Sequence, residues 1–224
     1  MLDKLRAARK AFLTNFLRIH YSQFGEDIIL GELLGREKTD GVYVDVGCYH
    51  PKKFSNTYSL YKRGWRGVNI DAEAQKIELF KIARPKDHNV VAAVSDVVGK
   101  ASLHPGGLGS TVGESDPTDR NAVSVTTRTL NDILAESPYA GRQIDVLSID
   151  VEGMDARVLR SLDIDAYRPK IILVEDHHLS IDQILETETY KILNNAGYVL
   201  RSWAFYTLIF VLPGADILKQ REHA

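Results

Sequence analysis

A chain of 224 residues, 44% hydrophobic and 26% charged, has the make-up of an ordinary globular protein with one large domain, which excludes disorder or a collagen-like repeat as the main state. Lys and Arg total 28 against 30 Asp and Glu, a formal net charge of -2, whereas a general nucleic-acid binder carries a basic excess. Cys48 is the one cysteine and cannot close an internal disulfide, no apolar run nears the ~18 residues that cross a bilayer, and the start lacks the apolar core of a signal peptide, so a soluble cytoplasmic protein is expected.

The first segment stands apart. Across residues 1–21, Leu5, Phe12, Leu13, Phe16 and Leu17 recur at helical spacing, and Lys4, Arg6, Arg9, Lys10 and Arg18 face a single acid, Asp3. This predicts a basic amphipathic helix. Two uses fit it: peripheral contact with an anionic inner membrane surface or a partner helix, or packing on the domain with a solvated basic face. The short apolar stripe favours packing. The remainder, 22–224, reads as one domain.

From residue 42 onward, short β-branched runs alternate with helical patterns. Val42–Val46, Val68–Ile70, Val90–Val94, Val146–Ile149 and Ile171–Val174 lack apolar/polar alternation, as strands of a parallel sheet covered on both faces require. Between them, Ser55-Asn56-Thr57 precedes an amphipathic run to Lys62, Thr129 caps Leu130–Leu134, and a helix is predicted from Gly153 to Leu162. Such alternation implies βαβ crossovers and a doubly wound sheet. Residues 104–121, rich in Gly, Ser, Asp and Pro, read as a long surface loop. Near the end, Tyr198–Trp203 and Thr207–Leu212 are joined too closely for a helical crossover and predict an antiparallel hairpin at one side of the sheet.

Open α/β sheets bind ligands beyond the carboxyl ends of their strands. The first strand ends in Asp45-Val46-Gly47-Cys48, where glycine permits a tight turn and close backbone approach. The second ends in Asp71, spaced so that its carboxylate can accept the hydroxyl protons of a ribose. The glycine-rich dinucleotide fingerprint and a phosphate loop are both absent. That leaves a nucleoside ligand with no pyrophosphate, and S-adenosylmethionine fits that description. The third strand leads to Ser95 and Asp96, the fourth to Asp150, Glu152 and Gly153, the fifth to Glu175, Asp176, His177 and His178. Carboxylates clustered on one rim repel each other unless cations or hydrogen bonds compensate.

The chain resembles the FkbM-type S-adenosylmethionine-dependent methyltransferases at Ser22-Gln23-Phe24-Gly25-Glu26-Asp27, Val44-Asp45-Val46-Gly47, Phe54-Ser55-Asn56-Thr57-Tyr58 and Gly64-Trp65-Arg66-Gly67-Val68-Asn69-Ile70-Asp71. The resemblance continues through Ala93-Val94-Ser95-Asp96, Thr129-Leu130-Asn131-Asp132, Leu147–Gly153 and Arg168–Glu175. It implies a class I methyltransferase fold, a Rossmann-like α/β sheet of seven strands with the last antiparallel, and O-methylation of a hydroxyl on a sugar, glycan or secondary metabolite. The cofactor would be S-adenosylmethionine, met by Asp45, Gly47 and Cys48 at the methionine and ribose, Asp71 at the ribose hydroxyls, Ser95 and Asp96 at the adenine, and Gln23 and Asn56 at the methionine amino and carboxylate groups.

Where the family carries a GANxG-like turn, this chain has Gly47-Cys48-Tyr49-His50-Pro51; Pro51 removes an N–H and fixes φ. That departure keeps a second reading open, a nucleoside- or partner-binding module that has lost catalysis. Cys48 fits a small buried filler better than a nucleophile, because methyl transfer needs no covalent enzyme intermediate.

Deprotonation of the acceptor has two predicted routes. Asp150, Glu175 and Asp176 would bind a divalent cation such as Mg²⁺, which lowers the pKa of a substrate hydroxyl. Alternatively His177 would act as general base, with His50 as second candidate. Asp150 and His177 are thus the candidate catalytic residues.

Overall fold

The computed structural model describes residues 4–6, 9, 18–104, 106, 111–114, 122–178 and 180–215. Residues 4–6 and 9 are helical; most of the predicted helix over 1–21 lies outside the described residues, as does most of the 104–121 segment.

In chain order the elements are α1 (Glu26–Leu34), β1 (Val42–Val46), α2 (Tyr58–Lys62), β2 (Arg66–Asp71), α3 (Ala74–Ala83), β3 (His88–Val91), β4 (Ala93–Val94), β5 (Gly99–His104), β6 (Thr111–Glu114), β7 (Val123–Arg128) and α4 (Leu130–Glu136). There follow β8 (Val146–Ile149), α5 (Asp155–Arg160), α6 (Ile164–Tyr167), β9 (Ile171–Glu175), α7 (Ile181–Glu186), α8 (Glu188–Asn195), β10 (Val199–Ala204) and β11 (Thr207–Val211). The main sheet has seven strands in the order β10-β11-β9-β8-β1-β2-β3. Pairing is parallel from β3 to β9, and β11 runs antiparallel to both neighbours. The predicted doubly wound class I sheet, with its C-terminal hairpin, is the fold observed.

Both faces of the sheet are covered, as the continuous apolar runs require. On one face Val44, Val46, Leu147, Ile149, Ile172 and Val174 pack against Leu130, Ile133 and Leu134 of α4, Val158 and Leu159 of α5, and Leu193 of α8. On the other, Tyr43, Val146, Ile171 and Leu173 meet Leu30, Leu33 and Leu34 of α1, with Leu60 and Trp65. Fully burying each such side chain stabilises by roughly 1.5–3 kcal/mol. Thr129 caps α4 as expected, its side chain accepting from the Asp132 backbone N–H.

Two expectations are corrected. The run Val90–Val94 is not one strand. The backbone N–H of Ala92 makes a last bond to the Asp71 carbonyl, and the chain then leaves the main sheet so that Ala93 and Val94 pair with β7. Residues 104–121 are not wholly loop, because Thr111–Glu114 pairs antiparallel with Gly99–His104. These strands belong to a second, four-stranded sheet, β4-β7-β5-β6. Among the described residues no helix is long and apolar enough to cross a membrane.

Candidate active site

The carboxyl ends of β1, β2, β8 and β9 surround one cavity of about 230 Å³, far above the ~30 Å³ share of a single water. Its wall includes Gln23, Asp45, Gly47, Cys48, Asn56, Asp71, Asp150, Glu175 and His177, so nine of the residues singled out from sequence share one hollow. Ser95, Asp96 and Asp176 do not line it.

The turn after β1 shapes one side. Gly47 sits at φ +76°, and a Cβ there would lie 1.7 Å from the Asp150 carbonyl oxygen, so the crossing of two strand ends requires glycine. Tyr49 (φ 51°) and Phe54 (φ 57°) are also left-handed, which costs energy unless neighbours hold them. The holders are visible: Asp71 Oδ2 accepts from the Tyr49 N–H at 3.1 Å, and His50 Nδ1 accepts from the N–H groups of Lys52 and Lys53, both at 3.0 Å. His50 is thereby committed to the loop, and burial together with Lys53 lowers its pKa. Cys48 is buried beside Ile77 and Phe80, and burial pushes its thiol pKa well up; it is a filler, with no thiolate to offer.

Asp45 accepts a 2.5 Å hydrogen bond from the Thr57 hydroxyl. Burial raises its pKa, while Arg84 and Thr57 oppose the rise. Asp71 also takes the Glu73 N–H at 2.9 Å and lies 3.8 Å from Lys76; burial raises its pKa against the pull of Lys76. Asn56 donates to Ser148 Oγ at 3.1 Å.

Gln23 enters the cavity from a built turn. Ser22 Oγ donates to Asp27 at 2.7 Å, Asp27 also accepts from the Tyr21 N–H, and Glu26 accepts from the Phe24 N–H and, across the molecule, from the Thr207 hydroxyl at 3.0 Å. The Ser22–Asp27 motif therefore divides into structural residues and one, Gln23, that faces the ligand space.

The adenine-side expectation needs correction. Ser95 is buried with its N–H on the Arg128 carbonyl, and Asp96 is gripped by Arg157 at 2.8 Å and Arg160 at 2.7 Å. Burial would raise the Asp96 pKa, yet the two guanidinium bonds outweigh it and hold it at about 2. The apolar wall near the ends of β3 and β4 is made instead by Ala92, Ala93, Val94, Leu103 and Val112. Leu103 and Val112 come from the second sheet, whose strands β5 and β7 alternate polar and apolar residues and gave no continuous run to detect.

On the acceptor side, the Asp150 and Glu175 carboxyls lie close enough to act directly on each other. Burial, then Glu175, raises the Asp150 pKa well above the carboxylate range. Burial also carries Glu175 to about 7, against the influence of Asp150 and with help from Glu152 and Asp155. Both shifts favour a shared proton over two bare carboxylates side by side. Glu175 Oε2 has no hydrogen-bond partner and lies 3.4 Å from His177 Nε2, whose ring also meets Tyr206 at 4.8 Å. The expected Asp150, Glu175 and Asp176 trio does not assemble. Asp176 follows Glu175 directly, so strand alternation sends it to the other face, where it holds the backbone and ring of His178 at 2.9 and 2.6 Å. The ligand atoms that do converge, within 4.8 Å of one another, belong to Glu152, Glu175 and His177.

Comparison with known proteins accords with this geometry. The model of the methyltransferase FkbM domain matches residues 45–200, well over half the chain. The protein belongs to the FkbM methyltransferase family. No curated protein matches it. Among solved structures it is similar to a TehB-like SAM-dependent methyltransferase from Corynebacterium glutamicum, at 13% identity over 94% of this chain and 96% of that one, with TM-score 0.42. It is also similar to an O-methyltransferase from Bacillus cereus in complex with SAH (12%, 94% and 90%, 0.41). A third is Aeropyrum pernix fibrillarin with natively bound S-adenosyl-L-methionine (13%, 84% and 73%, 0.47).

Proposed function

We propose that this family member transfers the methyl group of S-adenosylmethionine to a hydroxyl oxygen of a neutral, hydroxylated acceptor such as a sugar or related secondary metabolite. The observation that carries the reading is the convergence of Asp45, Gly47 and Asp71 on one cavity with the Asp150–Glu175 pair at its other side. Its donor set suits the cofactor: carboxylates for ribose hydroxyls and a cationic sulfonium, and an apolar wall for a purine face. The carboxylates would repel an acceptor carrying phosphate or carboxylate, which supports a neutral one, and Phe54 and Tyr206 offer ring faces to it.

S-adenosylmethionine supplies an activated methyl group when bound. The chain's residues hold the acceptor oxygen in line and accept its proton. His177, open to solvent and touching Glu175, is positioned to take it. Asp176 turns away from the Asp150 and Glu175 carboxylates to hold His178; we therefore favour the route through His177 without a metal. Peripheral membrane contact through the N-terminal segment stays a proposal of the sequence.

Titration calorimetry with S-adenosylhomocysteine tests the reading: one site per chain is expected, and absence of binding overturns it. On any hydroxylated acceptor from a panel that turns over, EDTA should leave the rate unchanged. Cofactor binding without turnover on the whole panel would favour the non-catalytic module.

A further inference from the structure

We infer that Arg84 is a positioning residue of the donor site: through Thr57 it holds the Asp45 carboxylate as a hydrogen-bond acceptor facing the cavity, and through the Pro51 carbonyl it holds the turn after β1. The inference rests on the methyl-donor reading of that cavity.

Arg84 follows the last residue of α3 and is fully buried. Its Nε and Nη2 donate to the Pro51 carbonyl at 2.9 and 2.6 Å, Nη2 to Ser55 Oγ at 2.8 Å, and Nη1 to Thr57 Oγ1 at 2.8 Å and Asn69 Oδ1 at 3.3 Å. This rigid fork reaches three segments at once, which a lysine point charge does not do. The direction of the relay follows from the donors. Arg84 can only donate, so the Thr57 oxygen accepts from it and the Thr57 proton is free for Asp45 Oδ2 at 2.5 Å. That bond is strongest to an ionised carboxylate.

Asp45 needs such help. The charged and titratable groups that bear on it include Arg84, Asp71, Asp87, Asp150 and Cys48, and Lys76 shares the cavity wall but pairs with Asp71 and Glu73. Arg84 is the cation that acts on Asp45 most strongly. Asp87, the other acid near Arg84, is occupied by the Tyr43 hydroxyl, the Asn69 amide and the Gly67 N–H. Burial already pushes the Asp45 pKa up, and Arg84 and Thr57 are the first two influences that lower it. Without them the Asp45 pKa rises further, and the protonated carboxyl is a poorer acceptor for the donor.

The test is calorimetric titration with S-adenosylhomocysteine from pH 5.5 to 9 for wild type, Thr57→Val and Arg84→Gln, with thermal unfolding alongside. Binding that uses ionised Asp45 is complete above its pKa and lost as pH falls through it. Losing a hydrogen bond to a charged group should weaken Kd about tenfold at pH 7 in Thr57→Val. Much of that loss should be recovered at pH 9, so the acid midpoint of the binding profile moves up. Arg84→Gln should move it further; if that variant does not fold, Thr57→Val carries the test. A merely structural role lowers Tm and leaves the midpoint in place. Wild-type affinity in the variants, or a loss equal at every pH, overturns the inference while the donor reading stands. Failure of the wild type to bind overturns both.

Discussion

Gly47 and Asp71 occupy different strand ends, yet each is tied to the backbone of a neighbour: Gly47 by the 1.7 Å approach that a Cβ would make to the Asp150 carbonyl, Asp71 by its bond to the Tyr49 N–H. Gly47→Ala must displace either the β1 turn or the β8 turn. We expect it to lower Tm by several degrees and abolish S-adenosylhomocysteine binding in calorimetry. Asp71→Ala removes the expected ribose acceptor and should weaken binding at least about tenfold, the scale of a hydrogen bond to a charged group. Wild-type affinity in Asp71→Ala would place the nucleoside elsewhere. Arg84 belongs to this scale too, and no sequence pattern marks it. A single arginine before a proline at a helix end looks like any solvated residue, and its partners Pro51, Ser55 and Thr57 become neighbours only when α3 packs against the β1 turn.

At the scale of elements, the ends of β8 and β9 and the start of α5 bring together acids whose folded pKa values are raised. Burial sets Glu175 and Asp155 at about 7 and Asp150 well above its usual range. The folded state therefore binds more protons than the unfolded chain between about pH 4 and 7. The stability these groups contribute is fully present below that window and is lost as pH rises through it. Thermal scans of the ligand-free protein should give a higher Tm at pH 5.5 than at pH 8, and Glu175→Gln should flatten the difference. A Tm that rises with pH over that range would remove the proton-sharing pair. What could be read in the chain follows the same logic of elements. Strands β1, β8 and β9 are buried on both faces and advertise themselves as unbroken apolar runs. Strands β5 and β7 place Lys100, Ser102, Ser124 and Thr126 between their apolar residues, the alternation of half-buried strands, and so offer no unbroken apolar run. The rim acids are legible as a cluster, but clustering at a strand end alone hides that adjacent Glu175 and Asp176 take opposite faces, which the period of two separates.

For the whole molecule, the two ends of the main sheet do different work. The carboxyl end carries the cavity. At the opposite end, Asp145 precedes β8 and accepts from Lys38 at 3.0 Å, Lys170 at 2.8 Å and the Val42 N–H at 2.9 Å, joining β1, β8 and β9 at their starts. Burial would raise its pKa, and those three partners together lower it. Asp145→Asn should cost about 1.5–3 kcal/mol in denaturant unfolding, the scale of hydrogen bonds to a charged group. Its Kd for S-adenosylhomocysteine should remain within about twofold of wild type, because none of its partners touches the cavity. Strongly impaired binding at full stability would refute that division of labour.

The bond between Glu26 and the Thr207 hydroxyl links a helix near the start of the chain to the strand that sits between β9 and β10. Both residues fall outside the 45–200 stretch recognised as the family's domain. Anyone trimming an expression clone to that stretch would discard Gln23 from the ligand wall and all of β11. Ile171–Glu175 would then be left with a bare row of amides and carbonyls flanked by aliphatic side chains, a template for intermolecular stacking. The minimal foldable unit is therefore wider than the recognisable one, and its margins help build the pocket.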